Sequence, residues 1–332
     1  MRTLAGVLSL LLVSSPAAPA GKLWQAFQSH VRPSEAELAA VDRGEAMAKM
    51  LSSGNEREIT AFGMIQVAAS GDVLVQHFRD ITHFKKADQV LEIGKFSSSP
   101  SLQDLKSLTV DAEESAALKA CDVGRCDLKL SRLMIQHARR ESRVTNSSDL
   151  LRQILFDYLQ SYLLSGNNAL AKYEDKSTPG DLAREFQDLL NTAPYLRDYA
   201  PEFVSYMQTF PRGKPPGVEE FVYWSKEKFG LKPVISLTHV FIYRRPATDD
   251  VLILSKQIYA SHYFDASLGI TGLVAASRTG ERPRSYLLYL NRSRVDALGG
   301  FLGGVATSLL KGQIQEGLTT NLKLARQRLE RP

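Results

Sequence analysis

Residues 234–243 read VISLTHVFIY. Val234, Ser236, Thr238, Val240 and Ile242 alternate with Ile235, Leu237, His239, Phe241 and Tyr243, the period of an extended strand. Working outward, Arg244 to Asp250 holds Pro246 and paired aspartates and reads as a turn. Val251 to about Ser261 is the next strand, and Tyr263 to Ala275 continues it after a bend at Phe264-Asp265. Arg278 to Arg284 is a polar hairpin, and Ser285 to Asn291 is the last strand. A long helix then closes the chain over 295–329. Leu298, Leu302, Val305 and Leu309 continue as Leu318, Leu322, Ala325 and Leu329, at spacings of three and four apart from the gap at Gly312.

Upstream, Glu58 to Ala69 reads as a strand with apolar residues on both faces, so it is expected to be covered on both sides. Ser70-Gly71-Asp72 opens a helix over 71–83 with Val73, Leu74, Phe78 and Ile81 on one stripe. Val90 to Ile93 is a short strand, and Leu105 to Val110 another β candidate. Residues 21–57 read as helical, with Ser34 and Glu37 spaced as a capping box and Met47, Met50 and Leu51 on helical spacing. From Ser131 to about Phe229 the pattern is mainly helical. Tyr195, Tyr199, Phe203, Tyr206 and Phe210 form an aromatic stripe, which serves either as packing surface or as the wall of an apolar pocket. Tyr223 to Phe229 reads as an amphipathic aromatic stretch, either a lid at a membrane interface or a helix end packed on the sheet.

The chain has 332 residues, 44% of them apolar and 23% charged, which excludes wholesale disorder. A formal charge of +5 without basic runs does not point to nucleic acid; peripheral contact with an anionic membrane remains open. Arg2, the apolar run Leu4 to Val13 and the Ala18-Pro19-Ala20 site read as a secretory signal cleaved after Ala20. In an oxidising compartment Cys121 and Cys126, the two cysteines, are expected to form a small structural disulfide, with free thiols, a redox pair or half of a zinc site as the alternatives. The six histidines form no ligand pair, and no phosphate-binding fingerprint occurs, so neither metal nor cofactor is expected.

The order of elements resembles the START-like, or SRPBCC, helix-grip superfamily: an early strand, a short helix, a curved antiparallel sheet and a long closing helix. The segment Ile65-Gln-Val-Ala-Ala-Ser-Gly-Asp-Val-Leu74, a strand running into a helix, is similar to the entry segment of such domains. The resemblance implies an α+β fold whose curved antiparallel sheet grips the C-terminal helix around a cavity for an apolar ligand, here with a large helical insertion. The expected organisation is a signal peptide (1–20), an N-terminal helical segment (21–57), the first part of the START-like domain (58–130), the insertion (131–230) and the second part with the closing helix (231–330). The chain also resembles an uncharacterised family of exported bacterial proteins at 121–130, 223–230 and 256–265, which implies no activity.

Expected ligand-binding residues are Tyr259, Ser261, Tyr263 and His239, with Gly299, Gly300, Gly303 and Gly304 at the start of the closing helix. Each helical glycine costs about 1 kcal/mol against alanine, so that cluster calls for a close approach, a kink or a loop. The expected function is binding of an apolar small molecule such as a lipid or polyketide-like ligand. One alternative is a hydrolase or cyclase in the same cavity, with His262 or His239 acting with Asp265. Another is a non-catalytic envelope interaction protein using the insertion as its docking surface.

Overall fold

The structure is a computed structural model; it describes residues 21–142, 145–229, 232–245, 250–276, 284–296 and 304–331. The chain begins with helices α1 (Lys22–Val31) and α2 (Glu35–Asp42), then β1 (Met47–Leu51), β2 (Glu58–Val67), α3 (Gly71–Arg79), α4 (Ile81–Phe84) and β3 (Val90–Lys95). A helical stretch follows: α5 (Ala112–Ala120), α6 (Arg132–Glu141), α7 (Ser147–Ser165), the small ribbon β4 (Lys172–Tyr173) and β5 (Gly180–Asp181), α8 (Leu182–Asn191), α9 (Pro194–Tyr199) and α10 (Pro201–Thr209). It ends with β6 (Val218–Phe229), β7 (Lys232–Arg244), β8 (Val251–Ala260), β9 (Phe264–Ala276), β10 (Arg284–Val295) and the closing helix α11 (Gly304–Leu329).

The fold is α+β. Eight strands form one sheet in the order β1-β2-β10-β9-β8-β7-β6-β3, and every neighbouring pair is antiparallel. The five consecutive strands β6 to β10 form a meander. Two earlier strands flank it, β2 beside β10 and β3 beside β6. Local chemistry sets many of the helix starts. The Ser34 hydroxyl accepts from the Glu37 amide at 3.2 Å while Glu37 accepts from the Ser34 amide at 2.7 Å, the expected capping box. Asp111 and Glu114 repeat it ahead of α5, and Pro194 and Pro201 open α9 and α10 where no amide hydrogen is needed.

Each face of the sheet is covered, which is why β2 and β7 carry apolar residues on both sides. On one face Leu237, Phe241, Leu254, Ile270 and Leu290 pack against α1 and the helices of the insertion. On the other, Ile65, Ile242, Ile253, Leu273 and Leu287 share a core with Leu74, Val75 and Phe78 of α3 and with Leu318, Leu322 and Leu329 of α11. The closing helix seats on β1, β2 and α3. Gly63 lets it in: a Cβ at that position would lie 2.6 Å from Leu322 Cδ1 and 3.1 Å from Leu318 Cγ.

Several expectations are corrected. The segment 21–57 is helical only to Asp42; Met47–Leu51 is an edge strand paired with β2. Leu105 to Val110 is not a strand; a 3-10 turn at Leu102–Leu105 leads into irregular chain. The helical insertion starts earlier and ends earlier than 131–230, since α5 begins at Ala112 and β6 occupies Val218–Phe229. Tyr223 to Phe229 is therefore neither lid nor helix end. It alternates as a strand, and Trp224 is fully buried with its indole N–H donating to the Asp104 carbonyl at 2.8 Å. The closing helix starts at Gly304, after β10 has run on to Val295. The signal segment 1–20 and residues 299, 300 and 303 lie outside the described residues. A disulfide joins Cys121 and Cys126, consistent with export, and among the described residues no helix is long and apolar enough to cross a membrane.

Gly63→Leu should overpack the seat of the closing helix and cost roughly 1–3 kcal/mol. Urea unfolding combined with limited proteolysis checks this. The variant should unfold at lower urea and be cut first within α11; unchanged stability would contradict the packing described.

Candidate functional site

The residues expected to line one cavity do not share a face. His239 and Tyr259 point toward the helical insertion, away from the closing helix, and both are buried. His239 Nδ1 lies 3.0 Å from the Tyr162 phenol oxygen, and its ring packs at 4.9 Å against Phe210 and 3.9 Å against Phe241. Tyr259 sits between Tyr158 and Tyr173, 6.3 Å from each ring. The aromatic stripe of α9 and α10 belongs to the same layer: Phe203 stacks on Tyr243 at 4.9 Å and Tyr206 meets Phe241 at 5.9 Å. Tyr195, Tyr199, Phe203 and Tyr206 are packing surface, while Phe210 packs there and also borders a surface groove.

The catalytic alternatives also come apart. Ser261 is buried, and its hydroxyl accepts from the Ile235 amide at 2.9 Å, tying off the end of the β7–β8 pair. Tyr263 takes a positive φ of 61°, so the chain bends instead of continuing the strand alternation; its phenol accepts from the Lys232 amide at 2.9 Å. Asp265 is held by Lys129 at 2.8 Å and Arg57 at 3.0 Å. His262 instead borders a crevice of about 10 Å³ with Asp127, Lys232 and Glu114, room for one water. The expected His262–Asp265 pair is not formed. Gly304 is the first residue of α11.

The face toward α11 carries a different pattern. At the α3 end its cross-strand rows are apolar, Ile65–Leu287–Leu273–Val251. Two rows further along, Asn291, Gly269 and Ser255 lie side by side on β10, β9 and β8, with Ser293 and Ser267 paired in the row beyond. Ser255, Gln257, Ser267, Tyr289 and Asn291 are half-buried at the middle of a sheet whose other central positions are closed. Their polar groups are organised: Ser267 and Ser293 hydroxyls lie 2.8 Å apart, Asn291 Nδ2 donates to Ser267 Oγ at 3.3 Å, and Ser293 donates to Asn291 Oδ1 at 2.7 Å.

One end of this floor is charged. Lys85, just after α4, pairs with Glu227 of β6, which also accepts from Ser225 at 2.6 Å. Burial alone would lower the Lys85 amine, but the Glu227 carboxylate overrides it and holds it above its ordinary range. Burial likewise pushes the Tyr289 and Tyr223 phenols up, against the pull of Lys85. Both stay protonated at neutral pH, able to donate and accept. The arrangement offers a ligand hydroxyls, an amide and two phenols beside an apolar wall. It offers no positioned nucleophile–base pair.

Sequence reasoning missed this row, although a signal was present. Polar residues interrupt the apolar positions of five successive strands: Ser225 faces Ser236, Ser255 and Asn291 flank Gly269, Ser267 faces Ser293, and Gln257 follows Ser255 by two. It also missed Lys256, a charged residue at a position whose same-side neighbours Leu252 and Leu254 are core. No family model and no curated protein matches the chain.

His239 has a pH consequence. Burial, then Lys256, holds its imidazole well below the ordinary value of 6.5. Below that value the unfolded chain binds a proton that the folded chain refuses, so stability is present above it and is lost as pH falls. The slope is about 1.4 kcal/mol per pH unit per proton. Urea midpoints of wild type and His239→Gln between pH 7 and 5 should converge as pH falls; parallel curves would contradict a neutral buried His239.

Proposed function

We infer that this chain is an exported, START-like binding protein that holds one amphipathic small molecule, lipid-like or polyketide-like, against the sheet face beside its closing helix. The carrying observation is the half-buried polar row of Ser255, Gln257, Ser267, Tyr289 and Asn291 in the middle of a sheet face whose other central positions are buried. A sheet centre that existed only for stability would be filled with apolar side chains. Here hydroxyls and an amide lie beside an apolar wall, the mixture that fixes an amphipathic ligand by its polar end and buries the remainder.

The placement of β2 beside β10 and the packing of α11 across β1, β2 and α3 support the resemblance to the helix-grip superfamily. Residues 1–20, read as a signal cleaved after Ala20, and the Cys121–Cys126 disulfide support export to the periplasm or beyond. The ion pairs of Asp265 with Lys129 and Arg57 favour the binding reading over the enzyme alternative.

Native mass spectrometry of gently purified protein, with titration by dansyl-undecanoate, tests the reading. Wild type should carry a co-purified small molecule or bind the probe with one site. Ser255→Trp fills the floor opposite Gly269, and should weaken probe binding at least tenfold while leaving circular dichroism unchanged. A wild-type protein that is empty and takes up no probe contradicts the proposal.

A further inference from the structure

The opposite face of the sheet holds an amine in an unusual setting. Lys256 of β8 is wholly buried. Other buried lysines of the chain meet acids: Lys226 lies 2.6 Å from Glu114 and Lys129 lies 2.8 Å from Asp265. Lys256 instead donates to Asn167 Oδ1, with its Nζ 4.1 Å from the Phe186 ring centre and 5.1 Å from that of Tyr162. An amide oxygen and two π faces stabilise an ammonium less than a carboxylate does. Burial accordingly holds this amine well below the ordinary lysine range, toward its neutral, nucleophilic form.

The amine is one side chain away from solvent. Asn167 Nδ2 donates to the carbonyls of Met207 at 2.9 Å and Gln208 at 2.8 Å, which turns its Oδ1 to Lys256. The same residue lines a surface groove of about 470 Å³ together with Asn168, Phe210 and Arg212. Gly166, which precedes it, has φ 60°, and a Cβ there would fall 1.8 Å from the Phe210 carbonyl oxygen. Only glycine lets the two walls meet this closely. Phe210 in turn separates the groove from His239, which pairs with Lys256 across β7 and β8. Beneath the groove, therefore, stand an amine that meets no carboxylate among the described residues, a neutral imidazole whose Nε2 lies 3.9 Å from the Glu220 carboxylate, and a phenol. On its rim stand a guanidinium and an amide.

We propose that Lys256 is an imine-forming lysine for a small carbonyl compound bearing an anionic group, an aldehyde acid or a 2-oxo acid, that enters by this groove. Arg212 meets the anion, and the carbonyl reaches past Asn167. The Lys256 nitrogen lone pair attacks the carbonyl carbon. A C–N bond forms as the π pair moves to oxygen, which takes one amine proton. The hydroxyl then leaves with the second proton as water while nitrogen completes the C=N bond. Atoms and charge balance without oxidant or reductant. The His239–Tyr162 pair lies beside the amine and relays the protons between nitrogen and oxygen. This site is on the opposite face from the proposed ligand floor beside α11, and either can stand without the other.

The test uses the full chain at pH 7 with glyoxylate as the carbonyl probe and cyanoborohydride as the trap, followed by peptide mapping. Carboxymethylation of Lys256 should run at least tenfold faster than that of an exposed lysine such as Lys119. Asn167→Asp sets a carboxylate against the amine and keeps it charged. Labelling at Lys256 should then fall at least tenfold, with Lys119 labelling and circular dichroism unchanged. An unlabelled Lys256 in native wild type, while Lys119 reacts, overturns the proposal. So does Lys256 labelling that Asn167→Asp leaves untouched in a folded variant.

Discussion

The pairing of β2 with β10 is the contact on which the rest depends. Residues far apart in the chain run antiparallel from Ser285 opposite Val67 to Arg294 opposite Glu58. Without that ladder the first strands and the late meander would be two open sheets with exposed edges. Side-chain chemistry fixes its register. Glu58 is buried between Arg292 at 2.7 Å and Arg294 at 3.1 Å. Arg292 also donates to the carbonyls of Leu189 and Thr192 at 2.8 and 3.0 Å, tying the end of α8 to the same place. A slip of one residue would exchange the two faces of β10 and leave these charges buried without partners, at a cost of several kcal/mol.

Because the register is fixed, the two faces can carry different chemistry. Toward the insertion, side chains of β7 and β8 meet the aromatic rings of α7, α9 and α10 in a densely filled layer. Toward α11, the same strands present apolar rows at one end and hydroxyl and amide groups further along. The helix that seats on β1, β2 and α3 and the row left half-buried beside it are consequences of one arrangement. Tyr289 of that row pairs with Gly63, the position on which Leu318 and Leu322 of α11 seat.

Much of this was legible in the residues. Strict alternation in Val234 to Tyr243, and apolar residues on both sides of Glu58 to Val67, specify long strands covered on two faces. The Ser34–Glu37 spacing marked a helix start that forms as read. Elsewhere local pattern gave way to tertiary pairing. Met47, Met50 and Leu51 sit on helical spacing, yet their segment becomes an edge strand because β2 offers it a partner. Tyr223 to Phe229 looks amphipathic in any conformation; its Lys226 is consumed by Glu114, a partner 112 residues away in sequence. The candidate site was the least legible part. Tyr259 to Asp265 is rich in reactive residue types, but the bend at Tyr263 and the ions around Asp265 disperse them. The serines and amides that do converge come from separate strands, and only the register brings them together.

The proposed ligand floor is the half-buried polar row on the sheet face beside α11. Backbone and side-chain amide shifts of isotope-labelled protein, followed by NMR during titration with decanoate, test it directly. Shifts should concentrate at Ser255, Gln257, Ser267, Tyr289 and Asn291 and spread to Leu318 and Leu322 of the closing helix. Saturable shifts confined to the insertion face, or none at any concentration below micelle formation, would contradict it.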